Sequence, residues 1–206
     1  MGEPDNLPDE QLVLLTKDGD LAAFNSLVAR YQGPVFNLCA RLLGERQAAE
    51  DATQETFLSA YRAISRFDGR NVRGWLLRIA ANQSKDELRR RGRKDRAGSL
   101  DKIFDTMDAP VEVPDTAEGI EQLLERKELG EALQSVLLDL PFDQRQAIVL
   151  VDVYGYRYED VAEMTGNSVG TIKSRIHRGR ERLREAIRKR PEQFAGALRL
   201  ESSRRL

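Results

Sequence analysis

The 206-residue sequence contains a single cysteine, Cys39, and a single histidine, His177. An intrachain disulfide is therefore excluded, and the Cys/His clusters that hold zinc cannot be assembled from one residue of each kind. No apolar run approaches the ~20 residues that span a bilayer. The N-terminal MGEPDNLPDE is acidic and lacks the basic-then-apolar order of a signal peptide. These absences describe a cytoplasmic chain with no membrane insertion. There is no glycine-rich phosphate-cradling loop and no metal-ligand cluster, and no segment reads convincingly as a strand. The sequence calls for no cofactor, no metal and no catalytic residue, and so not for an enzyme.

What is abundant is charge, at 33% of residues for a net of only -1. The balance hides segregation. From Arg70 to Arg96 there are ten basic residues against three acids, and from Ser168 to Arg190 nine against two. Between them, residues 99 to 128 carry nine acids and three bases. Segment charge is a better guide to local fields than the overall balance, so two cationic stretches flank an anionic one.

Apolar residues at helical spacing predict three helices over Leu21–Tyr31, Val35–Leu42 and Phe57–Ile64, punctuated by Gly33-Pro34 and Gly44. Cys39 falls on an apolar face and reads as a small buried hydrophobe. A fourth helix starts near Asn71, with Val72, Trp75, Leu76, Ile79 and Ala80 on its core side, and Gly92 is expected to end it. Residues 97 to 126 lose the pattern and read as a linker, with room for a short helix near Ile120 to Leu124. Helical spacing resumes at Leu129 and stops at Pro141. Asp143, with Gln146 three residues on, reads as the N-cap of a nearly all-apolar buried turn.

The most informative stretch is YGYRYEDVAEMTGNSVGTIKSRIHRGRERLRE. A short helix with Tyr158, Val161 and Ala162 on one face, a stop at Gly166 and a second helix capped by Ser168 form a helix-turn-helix pattern. Val169, Ile172 and Ile176 are expected to face the first helix. Thr171, Lys173, Ser174, Arg175 and Arg178 are expected to point away, as donors suited to base edges and phosphates. Gly179 on the inner stripe would allow close helix approach. A membrane-surface or calmodulin-target helix would carry a bulkier apolar face, and a merely solvated helix would interleave its charges; DNA binding fits the pattern best. His177 reads as an exposed polar residue.

Residues 50 to 94, EDATQETFLSAYRAISRFDGRNVRGWLLRIAANQSKDELRRRGRK, resemble region 2 of bacterial RNA polymerase sigma factors, and residues 132 to 185 resemble region 4. The compact order resembles the extracytoplasmic-function (ECF) subfamily of the sigma-70 family, over about residues 20 to 190. The resemblance implies an all-α protein of two small helical domains joined by a flexible acidic linker: an N-terminal tail (1–19), region 2 (20–96), linker (97–126), region 4 (127–190) and a C-terminal tail (191–206). It implies binding of core RNA polymerase through the beta-prime coiled coil and the beta flap, recognition of promoter DNA, and control by an anti-sigma factor. By motif position, Asp51, Gln54 and Glu55 would dock on polymerase. Phe67 and Asn82 would form a pocket for bases of the opened −10 element, with Arg70, Arg73, Arg78, Lys85, Arg89 and Arg90 on the phosphates. Trp75 would be core. Lys173, Ser174, Arg175, His177 and Arg178 would read the −35 element, alongside Thr171. A linker of roughly 30 residues reaches at most about 100 Å and averages about 30 Å as a coil, which suits sites two DNA turns apart. A free-standing helix-turn-helix regulator and a nucleic-acid-processing enzyme are the alternatives.

Overall fold

The computed structural model describes residues 7–97 and 120–194, with side chains described for 7–92 and 126–194. Every regular element among the described residues is helical. They form two compact units. The first holds α1 (Asp9–Lys17), α2 (Leu21–Leu43), α3 (Arg46–Ala63) and α4 (Val72–Ala97); the second holds α5 (Ile120–Leu138), α6 (Phe142–Ile148), α7 (Tyr158–Thr165) and α8 (Val169–Lys189). The expected acidic linker lies, from 98 to 119, outside the described residues.

In the first unit α2 is the hub, packed on α1, α3 and α4. Asp20 caps it, its Oδ1 accepting the N–H groups of Ala22 (2.8 Å) and Ala23 (3.2 Å); such a cap is worth about 1 kcal/mol. The expected break at Gly33-Pro34 is not made, and α2 runs through Pro34. Proline removes one ladder hydrogen bond at a cost of ~3 kcal/mol. Leu27 on one side and Val35, Leu38, Cys39 and Leu42 on the other are all buried, and a break would turn one set away from the core. Small residues Ala48, Ala49, Ala52 and Ala60 bury the inner face of α3, which lets it lie close to α2 and α4. Tyr61 is 40% exposed and meets Phe24 edge-on at 5.0 Å.

Three other expectations need correction. Residues 9 to 17 are not tail but α1, whose Leu12 and Val13 are buried. At its start Asp9 accepts hydrogen bonds from Arg30 and Tyr31 of α2. Gly92 does not end α4, which continues to Ala97, and α5 begins at Ile120 and runs unbroken to Leu138, so helix enters the expected linker from both sides.

In the second unit α8 packs on α5, α6 and α7. The apolar turn after α6 is buried at Ala147, Ile148, Val149 and Leu150, and the chain widens into a π-turn over Val149–Val153. Arg145 is buried as well: its Nη2 donates to the carbonyls of Leu138 and Leu140, both at 3.1 Å. That satisfies carbonyls left open where α5 ends. Burial lowers the Arg145 pKa, with Asp139 opposing. Pro191–Phe194 forms a short 3-10 turn with Phe194 buried, so the start of the expected C-terminal tail belongs to the core. No helix among the described residues is long and apolar enough to cross a membrane.

Candidate nucleic-acid interface

The loop from Phe67 to Asn71 enters α4 by a fixed path. The Asp68 carboxylate accepts the Arg70 N–H at 2.9 Å. Asn71 adopts φ 46°, a conformation asparagine tolerates better than most residues, and its Oδ1 caps α4 by accepting the Gly74 N–H at 3.0 Å. A Cβ on Gly74 would sit 2.4 Å from the Asn71 amide nitrogen, so a side chain there would have to displace the capping amide. Phe67 lies flat on Trp75, ring centroids 4.1 Å apart and planes within 7°. Trp75, expected in the core, is half-buried instead, forming an aromatic pair at the surface.

Beyond this pair, Trp75, Arg78, Asn82, Lys85 and Arg89 recur at spacings of three and four, which places them on one side of α4. Val72, Leu76, Leu77, Ala80 and Ala81 bury the other. Arg70, Arg73, Arg78, Asn82 and Arg89 are exposed and Lys85 is half-buried. Arg89 holds an exposed pair with Asp86 at 3.3 Å, the kind worth little and readily exchanged for a phosphate. Arg90 departs from this group. It pairs with Glu87 at 2.6 Å and lines a groove between α3 and α4 with Asp51, Gln54, Glu55, Gln83 and Asp86.

That groove brings the three residues expected to dock on polymerase together, all of them exposed. Carboxylates outnumber the single arginine, and the contacts of these three residues are weak: Gln47 to Asp51 at 3.2 Å and Arg62 to Glu55 at 3.4 Å, both side chains of the latter pair about half exposed or more. An acidic groove of this kind suits a basic surface. Sequence reasoning missed Gln83, Asp86 and Glu87, although the spacing of 83, 87 and 90 places a second polar row on α4.

In the second unit α7 stops at Gly166, φ 65°, and the Ser168 hydroxyl accepts the Thr171 N–H at 3.1 Å to start α8. The Arg157 N–H at the head of α7 is taken by Asp160 at 3.1 Å, half of a reciprocal cap whose other half needs a side-chain acceptor that arginine lacks. Ile172 and Ile176 are buried, and so is Gly179. A Cβ at Gly179 would lie 2.5 Å from Ile148 Cδ1, so the glycine sets the approach of α8 to α6. Asp143 lies inside the first turn of α6, which starts at Phe142 after Pro141 without a side-chain cap.

Asp143 has a different partner. It accepts from Arg175 Nη2 at 3.0 Å, and the Arg175 side chain is only 19% exposed. Arg175 therefore folds back onto α6 instead of pointing away with its neighbours. Lys173, His177 and Arg178 are exposed, and Thr171 and Ser174 are half-buried beside them. Arg178 leans on Ser174, donating to its carbonyl and hydroxyl at 3.2 Å. Arg180 grips Asp152 with two bonds of 2.6 and 3.1 Å, and Arg184 and Lys189 pair with Glu181 and Glu185. Much of the positive charge of α8 is thus committed within the unit; Lys173 and Arg178 are exposed near its start, and Arg182 and Arg188 further along.

The sequence matches the family model of sigma-70 region 2 over residues 27–94 and that of sigma-70 region 4 over residues 130–183. It is 39% identical over 180 residues to the ECF RNA polymerase sigma factor SigE of Mycolicibacterium smegmatis, covering 86% of this chain and 67% of that one. The chain belongs to the ECF RNA polymerase sigma factors. It is also 36% identical over 184 residues to the RNA polymerase sigma-H factor of Pseudomonas aeruginosa, covering 87% of this chain and 93% of that one. Its fold resembles the sigma factor RpoE from Bartonella quintana, solved in complex with the anti-sigma factor NepR: TM-score 0.60 at 26% identity, covering 80% of this chain and 96% of that one.

Within this sigma factor the loop, the α4 stripe and the α3–α4 groove fall inside the region 2 match, and the outward face of α8 falls inside the region 4 match. Helix α1 precedes both. Its Lys17 nonetheless reaches the loop, donating from Nζ to the Phe67 carbonyl at 2.6 Å. Nothing in the sequence marks that contact, because it joins residues 50 positions apart.

Proposed function

We propose that this protein is a promoter-specificity subunit. As an ECF sigma factor it binds core RNA polymerase and directs promoter-specific initiation, by recognising −35 and −10 DNA and assisting duplex opening. The observation that carries the reading is the presence, on one chain, of region 2 with its acidic groove and cationic stripe and of region 4 with its outward basic face.

In this reading Asp51, Gln54 and Glu55 dock on a basic helical surface of polymerase, the beta-prime coiled coil, and the second unit engages the beta flap. Opening the duplex frees bases that must be stacked and hydrogen-bonded while their phosphates are neutralised. The Phe67–Trp75 pair offers a π surface, Asn82 offers an amide on the same side of α4, and Arg70, Arg73, Arg78, Lys85 and Arg89 hold the backbone. Arg90 belongs with the groove. Lys173, Ser174, His177, Arg178 and Thr171 face the major groove of the −35 element, and Arg175 supports them from behind. The chain performs no nucleotide chemistry of its own and works in the cytoplasm. An anti-sigma protein is a further partner by analogy with the Bartonella quintana complex. The region 2 match sets aside a free-standing regulator.

In vitro transcription with the host's core polymerase over a promoter library tests the proposal. Addition of the protein should select a defined set of start sites, and charge reversal at Asp51 and Glu55 should abolish core binding while leaving duplex binding by the second unit. Failure to confer start-site selection would overturn the reading.

A further inference from the structure

Helix α1 is fastened at both ends to elements that shape the −10 loop. At its head Asp9 takes hydrogen bonds from Arg30 and Tyr31 of α2, and Tyr31 lies within electrostatic reach of Arg73 at the start of α4. At its tail the Lys17 ammonium donates to the Phe67 carbonyl at 2.6 Å. Between them buried Val13 underlies the loop, its Cγ1 3.9 Å from where a Cβ on Gly69 would stand. Gly69 itself has φ +86°, so the loop follows a path that most residues cannot take.

We propose that Lys17 is a positioning residue for −10 recognition: by holding the Phe67 main chain it keeps the loop set to receive an unstacked base. The proposal rests on the reading of the loop and α4 given above. A charge-assisted bond to a carbonyl is stronger than a neutral one, and it restrains the residue that opens the loop. With Phe67 O held, the ring stays over Trp75 and the platform exists before DNA arrives, so less ordering is required when the base is captured. Closing the core is the work of Leu12 and Val13, which are buried. The Lys17 side chain is exposed and adds nothing to that core, so the two roles of α1 separate by mutation.

The experiment uses the full chain with core polymerase and two DNA probes, a complete promoter for permanganate reactivity of unpaired −10 thymines and a forked fragment with a single-stranded −10 non-template strand for affinity. Lys17→Met keeps the stem and removes the ammonium; it should weaken forked-fragment binding and thymine reactivity about fivefold, with core binding, −35 duplex binding and melting temperature unchanged. Lys17→Arg should restore most of the loss. Asn82→Ala, at an exposed position, reports on the −10 reading itself. If Asn82→Ala and Phe67→Ala impair opening while Lys17→Met behaves as wild type, the positioning role is overturned and the −10 reading stands. If neither Asn82→Ala nor Phe67→Ala changes opening, the reading fails and the proposal with it. A Lys17→Met protein that melts earlier and loses core binding in proportion would show a purely structural role, and would also overturn the proposal.

Discussion

Arg175 and Lys173 are two residues apart on the same helix, and they meet different surroundings. Lys173 is exposed, whereas Arg175 is drawn under the helix by Asp143. Their substitutions should therefore fail in different ways. Lys173→Ala and Arg178→Ala should each weaken −35 duplex binding and reduce the slope of log affinity against log salt by about 1. Arg175→Ala should leave base preference unchanged and lower the melting temperature instead. Its double-mutant cycle with Asp143→Ala, read from denaturant unfolding, should give a coupling of roughly 0.5–3 kcal/mol. A coupling near zero with altered base preference would return Arg175 to the reading face. The sequence placed Arg175 among the outward donors because helical spacing fixes a residue's azimuth, whereas an arginine is long enough to swing to a partner 32 positions away. Lys173 and Arg178 were legible from azimuth alone, and both are exposed.

At the scale of elements, the helices that were legible are those whose apolar period has a local stop. Gly166, Ser168 and the Val/Ile stripe mark α7 and α8 within a short stretch of chain, and the structure follows them. Pro34 and Gly92 were misread as stops because local propensity is a few kcal/mol at most and the core outweighs it at Pro34. Helix α1 was missed because its buried anchors are few, Leu12, Val13 and Thr16, in a stretch rich in acids, and its ties to α2 and to Phe67 run to distant residues. The cap of α4 is a local device with a measurable weight. Asn71→Ala removes the acceptor for the Gly74 N–H, and it should cost about 1 kcal/mol of stability, seen as a lower denaturant midpoint of the first unit with the second unit unaffected. Because the same residue sets the entry into α4 of the loop proposed to receive −10 bases, opening should suffer more than core binding does.

For the whole molecule, the two units are compact separately, and in the proposed reading promoter recognition by both depends on the chain between them. Since α4 runs to Ala97 and α5 starts at Ile120, the intervening segment can span at most about 80 Å, less than the full 97–126 stretch would allow. Two turns of DNA measure about 70 Å. Removing about ten residues from within 98–119 should therefore depress transcription from promoters of natural spacing and favour ones with a shortened spacer, measured as start-site yield over a spacer-length series. Unchanged yield across the series would mean that the tether does not limit simultaneous engagement.

Cys39 carries a consequence of another kind. It is the chain's only cysteine, it is wholly buried, and burial pushes its thiol pKa up, away from the reactive thiolate. Peroxide and disulfide stress thus find no accessible sulfhydryl here, so thiol-based sensing of a redox cue that acts through this factor falls to some other molecule.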